Sequence, residues 1–247
     1  MRYNRILVKL SGGAIAGDAQ WGFDPSALNH IADEVLDLHG RGIQVGVVVG
    51  GGNIFRGELG EEWGIERAEA DNIGMIATVI NSLMLRGVLT ARGNVDVRVM
   101  TAIPINTVAE PFIRLRAIRH LENRCLVVLA AGTGNPYVTT DYPAVQRALE
   151  LRAEALLAAK NGVNGIYTAD PRRDSTARRY SSIAYDTVIR KNLRALDQSA
   201  VLLARDNGLP IHLFDFDAPG AMSRICQGED VGTLIGQGDD VLAEAEA

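Results

Sequence analysis

Short β-branched and apolar runs alternate along the chain with longer stretches whose apolar positions recur every three or four residues. That texture predicts a parallel sheet with helices on its faces. A first strand is expected at 5–9. Asp24-Pro25 then offers an N-cap followed by proline at the first helical position, and Leu28, Ile31, Ala32, Val35 and Leu36 mark one apolar face up to Gly40. Residues 43–49 are almost continuously apolar, as expected of a strand covered on both faces, and run into Gly50-Gly51-Gly52. Further strands are expected at 95–100, 126–131, 155–159, 210–214 and 232–235, with helices at 69–86, 112–121, 141–153, 185–192 and 197–207. The 69–86 helix is apolar on more than one face, which suits a buried core helix and an assembly interface equally. No linker or fixed-period repeat interrupts the alternation. Residues 1–247 therefore read as one doubly wound α/β domain in two lobes, with an acidic tail at 238–247 expected to fray.

Composition narrows the chemistry. At 247 residues, 47% hydrophobic and 22% charged, the chain lies in the globular range and is long enough to bury a full core. Apolar runs such as 126–131 fall short of the ~18 to 20 residues that cross a bilayer, and 1–10 has no secretory apolar core, so a soluble, cytoplasmic protein with no membrane partner is expected. Cys125 and Cys226 form neither a CxxC pair nor a disulfide framework and are expected to be reduced and mostly buried. His30, His39, His120 and His212 are scattered, with no zinc-ligand spacing among them. A net charge of −5 lacks the basic footprint of a nucleic-acid binder, which turns attention to small-molecule chemistry. Of 25 basic residues only Lys9, Lys160 and Lys191 are lysines.

Ligands of open α/β sheets bind beyond the carboxyl ends of strands. Three glycine-rich turns stand at such ends: Lys9-Leu10-Ser11-Gly12-Gly13, Gly50-Gly51-Gly52-Asn53 and Gly132-Thr133-Gly134-Asn135. Each can offer backbone N–H groups to a phosphate without Cβ obstruction, although any glycine turn would look the same. Neither GxxxxGK[ST] nor GxGxxG after the first strand is present. Lys9 closes an apolar strand in a chain nearly without lysines and can reach a phosphoryl group, or snorkel to solvent. Arg56 can present a planar fork to a terminal phosphate, or be one surface arginine among 22. Asp141 and Asp197 each precede or open a helical stretch and can also be plain caps.

Taken together, KLSG at 9–12, GGGNIFRG at 50–57, ADNIGM at 70–75, AGTGNPYVTTD at 131–141, GIYTADP at 165–171, LARD at 203–206 and GTLI at 232–235 resemble the amino acid kinase family, in its UMP-phosphorylating bacterial branch. The motifs run in order across residues 5–236. The resemblance implies a three-layer αβα sandwich on a mainly parallel sheet. It also implies an acceptor-binding lobe at about 1–153 and an ATP-binding lobe at about 154–237. The implied activity is magnesium-requiring, ATP-dependent phosphorylation of UMP to UDP. The alternatives within the same fold are a paralogue kinase with another phosphate or carboxylate acceptor, and a nucleotide-binding regulatory or scaffold paralogue with little turnover.

By the same resemblance Gly51, Gly52 and Arg56 hold the acceptor phosphate, Asp71 takes the ribose hydroxyls, and Thr133, Asn135 and Thr140 line the acceptor nucleotide. Lys9 and Lys160 straddle the transferring phosphoryl group, with Asp141 and Asp197 as the acidic pair that orients them and the donor. Ser11, Gly12, Asn164, Tyr167 and Asp170 fall on the donor side with Lys9, and no residue is expected as a metal ligand. A homohexamer with GTP and UTP as effectors is implied as well. The chain departs from the family pattern at Gly13, where KLSGE is common. It departs again at 158–165, where AAKNGVNG shifts Lys160 by one position and puts Asn164 in place of an aspartate, and at Pro143, where small residues are usual.

Overall fold

The computed structural model describes residues 1–193 and 195–244. A single ten-stranded sheet runs through it in the order β10-β7-β9-β8-β6-β1-β2-β5-β3-β4. Its strands are β1 Arg5–Leu10, β2 Gln44–Val49, β3 Val97–Thr101, β4 Glu110–Pro111, β5 Leu126–Ala130, β6 Ala155–Lys160, β7 Tyr180–Ala184, β8 Ile211–Asp215, β9 Thr233–Gly236 and β10 Val241–Leu242. All neighbours pair in parallel except β8 with β9 and β10 with β7.

The period-2 alternation of the strands divides the core into two layers. Ile6, Val8, Val47, Val128 and Leu157 face one side, where α1 Gly13–Ala16, α2 Pro25–Gly40, α4 Arg67–Gly93 and α9 Ala221–Gln227 cover them. Leu7, Val48, Leu129, Leu156 and Leu213 face the other, under α5 Arg114–Glu122, α6 Asp141–Glu150, α7 Tyr185–Arg190 and α8 Gln198–Asn207. A short α3 Gly57–Glu62 leads into α4. The αβα sandwich follows from strands that are apolar on both faces. Asp24 caps α2 as expected, its Oδ1 accepting the Ala27 N–H at 2.7 Å with Pro25 at the first helical position.

Three expectations need correction. The helix expected to end at Arg86 continues to Gly93, because Leu85 and Leu89 stay fully buried and packing outweighs the cost of Gly87 in mid-helix. Residues 180–184 form β7, whose polar Ser181 and Ser182 gave no apolar run to read. The acidic tail expected to fray carries β10: Val241 and Leu242 pair with β7, and Asp240 Oδ1 accepts the Ala184 N–H at 2.9 Å. Residues 245–247 of that tail lie outside the described residues. Cys125 and Cys226 are free and buried, in agreement with the sequence.

Where β1 begins, Tyr3 Oη and His212 Nε2 lie 2.8 Å apart in the core. Burial, helped by the charge of Arg2, pulls His212 from its ordinary 6.5 down to about 4. Below pH ~6.5 the unfolded chain takes up a proton that the folded one refuses, so stability should fall between pH 6.5 and 4, by up to about 3 kcal/mol. Urea unfolding at pH 7.5 and pH 5 measures this, and His212→Gln should flatten the difference. An unchanged slope in that variant would place the pH dependence elsewhere.

Candidate active site

Lys9 pairs in register with Ala158 of β6, and side chains alternate along a strand, so Lys160, two residues beyond Ala158, stands on the same face as Lys9. The helices of that face bring two carboxylates to the lysines. Lys9 Nζ is 2.9 Å from Asp141 Oδ1, and the lysine is only 7% exposed. It is therefore a buried ion-paired group, not one snorkelling to solvent. The second oxygen of Asp141 accepts the backbone N–H of Asp197 at 3.2 Å.

Neither aspartate is the simple cap that sequence alone permits. Thr140 occupies the N-cap position of α6 and Asp141 the first helical residue, where the positive end of the helix suits a carboxylate. Asp197 stands at the N-cap position of α8 but makes no capping bond; its carboxylate accepts the Thr139 hydroxyl. Burial lowers the pKa of Lys160 below that of an ordinary lysine, and the charge of Lys9 lowers it further, while Asp141 and Asp197 oppose both. Two ammonium groups and two carboxylates thus share one small field at the carboxyl edge of the sheet.

Beside this cluster opens a cavity of about 570 Å³ between the three glycine turns. Ser11, Gly12, Gly51, Gly52, Arg56 and Asp71 line it, as do Asn135, Thr140 and Pro143. Its glycines differ in purpose. A Cβ at Gly12 would stand 2.5 Å from the Gly52 backbone nitrogen, and one at Gly51 would stand 2.8 Å from the Gly74 carbonyl, whereas one at Gly52 meets nothing within 4 Å among the described residues. The first two let loops and α4 pack closely; the third leaves its backbone open to a ligand.

The cavity walls are held by polar groups that sequence reasoning missed. Asn53 and Asn81 are almost fully buried and exchange amide hydrogen bonds at 3.1 and 2.6 Å, and Asn81 also donates to the Gly50 carbonyl at 2.7 Å. The Thr78 hydroxyl accepts the Ala131 N–H at 2.8 Å, and buried Arg147 donates to the Gly132 carbonyl at 3.0 Å. These bonds steady a turn in which Ala131 and Tyr137 adopt positive φ of 61° and 67° without being glycine, strain of the kind found at ligand sites. The available signal was Thr78, Asn81 and Ser82, polar residues at helical spacing inside an apolar stretch.

Asp71 reaches across the mouth. Its Oδ2 accepts the Tyr137 N–H at 2.7 Å and its Oδ1 the Arg67 Nε at 3.0 Å. Thr133 does not line the cavity; its hydroxyl accepts the Asn135 N–H at 3.3 Å inside the turn. Nor, among the described residues, do Asn164, Tyr167 and Asp170, which lie in the segment between β6 and β7. Tyr167 forms a bridge with Arg179, exposed Asp170 accepts the Arg172 N–H, and Ser11 Oγ faces Asn161 at 3.4 Å.

The arrangement suits one kind of chemistry, the approach of two anions. A cavity with an open glycine backbone and an arginine can hold one, and the two ammonium groups of the neighbouring cluster can neutralise charge developing between it and the other.

The amino acid kinase family matches residues 4–215. The uridylate kinase of Frankia casuarinae is 56% identical over 250 residues, an alignment covering 98% of this chain and 96% of that one. That of Limosilactobacillus reuteri is 44% identical over 97% of this chain and 99% of its own. Among solved structures, UMP kinase from Bacillus anthracis superimposes with a TM-score of 0.97 at 55% identity, covering 99% of this chain and all of the other. UMP kinase from Ureaplasma parvum gives a TM-score of 0.90 at 32% identity over 96% of this chain and all of its own.

Proposed function

The chain belongs to the amino acid kinase family, and on that premise we propose that it transfers the γ-phosphoryl group of ATP to UMP, releasing ADP and UDP. The observation that carries the reading is the pair of Lys9 and Asp141, 2.9 Å apart and near Lys160, close in sequence to Ser11 and Thr140 of the cavity wall. UMP's phosphate oxygen is already a nucleophile, so the protein must supply position and charge neutralisation; no covalent intermediate is needed. Residues 1–153 hold the acceptor and 154–237 the donor. Gly51, Gly52 and Arg56 receive the UMP phosphate, Asp71 the ribose hydroxyls, and Asn135 and Thr140 line the nucleotide, with Thr133 shaping their turn. Lys9 and Lys160 face the oxygens of the group in transit, oriented by Asp141 and Asp197. Ser11, Gly12, Asn164, Tyr167 and Asp170 meet ATP. A coupled assay of ADP release with UMP, CMP, AMP and no acceptor tests this. UMP should give the fastest turnover by a wide margin; equal rates with and without UMP would overturn it.

Magnesium fits this site as a companion of ATP. Among the described residues no group of three carboxylate, histidine or cysteine side chains could hold a metal, and both oxygens of Asp141 and one of Asp197 are already engaged by Lys9, a backbone N–H and Thr139. An ion that keeps its waters and binds chiefly through phosphate oxygens suits such surroundings, and when bound it supplies neutralisation of the donor's charge.

A second copy of the chain fits the outer side of α4. Ile76, Ile80 and Met84 form an exposed stripe there at 41%, 44% and 37%, with an apolar groove along Leu83, Gly87 and Val88. Among the described residues α4 is also the helix whose length and mean hydropathy of 1.5 would let it cross a membrane. Its inner face, bonded to the glycine loops through Thr78 and Asn81, supports an assembly helix instead. The reading is a cytoplasmic homohexamer, with GTP and UTP as effectors of its rate, and two free cysteines suit a reducing compartment. Light scattering should give close to six times 26.6 kDa. A stable, fully active monomer would contradict it.

A further inference from the structure

Trp21 stands in the loop before α2 with 46% of its surface exposed, although an indole is among the largest apolar groups a chain can bury. Its ring lies against Arg56. The guanidinium carbon is 5.3 Å from the ring centroid, within the ~6 Å reach of cation–π attraction.

The backbone holds the two residues in this relation. Gly22, which follows Trp21, donates its N–H to the Asn53 carbonyl at 2.8 Å and accepts from Asn53 Nδ2 at 2.8 Å, so the Trp21 loop is tied to the glycine loop that leads to Arg56. Arg56 Nε donates to the Gly52 carbonyl at 3.1 Å. With the indole on one side and Nε anchored, the guanidinium keeps Nη1 and Nη2 without a protein partner among the described residues, on the cavity wall.

We propose that Trp21 is a positioning residue for the acceptor phosphate: its indole holds the Arg56 guanidinium so that the unpaired Nη edge is preorganised for a phosphate dianion. The proposal rests on the reading of Arg56 as the phosphate clamp. A fixed fork loses less freedom on forming two parallel hydrogen bonds than a free arginine would, and the ring keeps water from one face of the pair.

Trp21 and Trp63 are the only tryptophans, so Trp63→Phe leaves Trp21 as the sole indole. In that protein UMP should change the indole emission saturably, and ATP alone should not. In steady-state assays Trp21→Ala should raise the KM for UMP about 5-fold with kcat within about twofold, and Trp21→Phe, which keeps an aromatic face, should recover most of the loss. Trp21→Ala in an Arg56→Ala background should cost nothing more. A wild-type KM in Trp21→Ala, losses that multiply in the double variant, or an indole blind to UMP would each overturn the proposal. An Arg56→Ala variant with an unchanged KM for UMP would instead sink the clamp on which it rests.

Discussion

Replacing Lys9 by alanine is expected to lower kcat for UMP phosphorylation by at least about 10²-fold while leaving the KM for UMP within a few-fold of its starting value. Charge builds on the transferred group as one anion attacks another, and a preorganised ammonium in a site sheltered from water opposes it far better than one free in solution. Removing such a donor from other enzymes costs about 2.7 to 4 kcal/mol of transition-state stabilisation. The variant should also unfold several degrees earlier. Lys9 is buried, and its loss leaves the Asp141 carboxylate, 13% exposed, with the Asp197 N–H as its remaining partner. Lys160 should then hold its proton more firmly, because the repulsion from Lys9 is gone and both carboxylates remain. Single-turnover rates beside calorimetric UMP binding separate the effects, and a variant with unreduced kcat would end the catalytic assignment of Lys9.

Gly12→Ala should be nearly as damaging, for steric reasons alone. The residue sits at φ −59° and ψ −33°, comfortable for any L-amino acid, but the added methyl would stand 2.5 Å from the Gly52 nitrogen and 2.8 Å from the Asn53 nitrogen. Two backbone segments must part to admit it. Overpacking of this kind costs about 1–3 kcal/mol, which in a domain of this size lowers Tm by about 3–10 °C. The open glycine loop moves with it, and a shift near 1 Å in a positioning loop should lower kcat/KM on the order of 10²-fold. Gly13→Ala is the control, since among the described residues its Cβ would meet only Ser11 Oγ, at 3.6 Å. Wild-type Tm and kcat/KM in Gly12→Ala would show that the two loops do not depend on their contact.

The central strands could be read from the chain because β1, β2 and β5 are apolar on both faces, a pattern few other environments produce. β7 could not, since two serines interrupt it and Ser182 finds its partner, the Asp239 carbonyl, in a tail more than fifty residues later. Lys9 stood out through the scarcity of lysines, and its burial against Asp141 became visible only with α6 folded over the sheet. Lys160 is the instructive case. Displaced by one position from the family pattern, it still falls on the face of Lys9, because strand register and not sequence spacing decides where it sits. Asn81 escaped notice since a lone polar residue in an apolar helix is commonplace; its meaning lies in Asn53 and Gly50, some thirty positions away.

Helix α4 imposes a mechanical unity on the glycine-walled cavity. Between Asp71 and Asn81 it meets the Tyr137 N–H, the backbone of Gly51, the Ala131 N–H and the Gly50 carbonyl, four anchor points along a rod about 15 Å long. A rod cannot yield at one anchor and stay fixed at the others. Any tilt applied at the apolar stripe outside is delivered to both loops with a common axis and a common sign, so the mouth and floor of the cavity widen or narrow together, as the jaws of a single clamp.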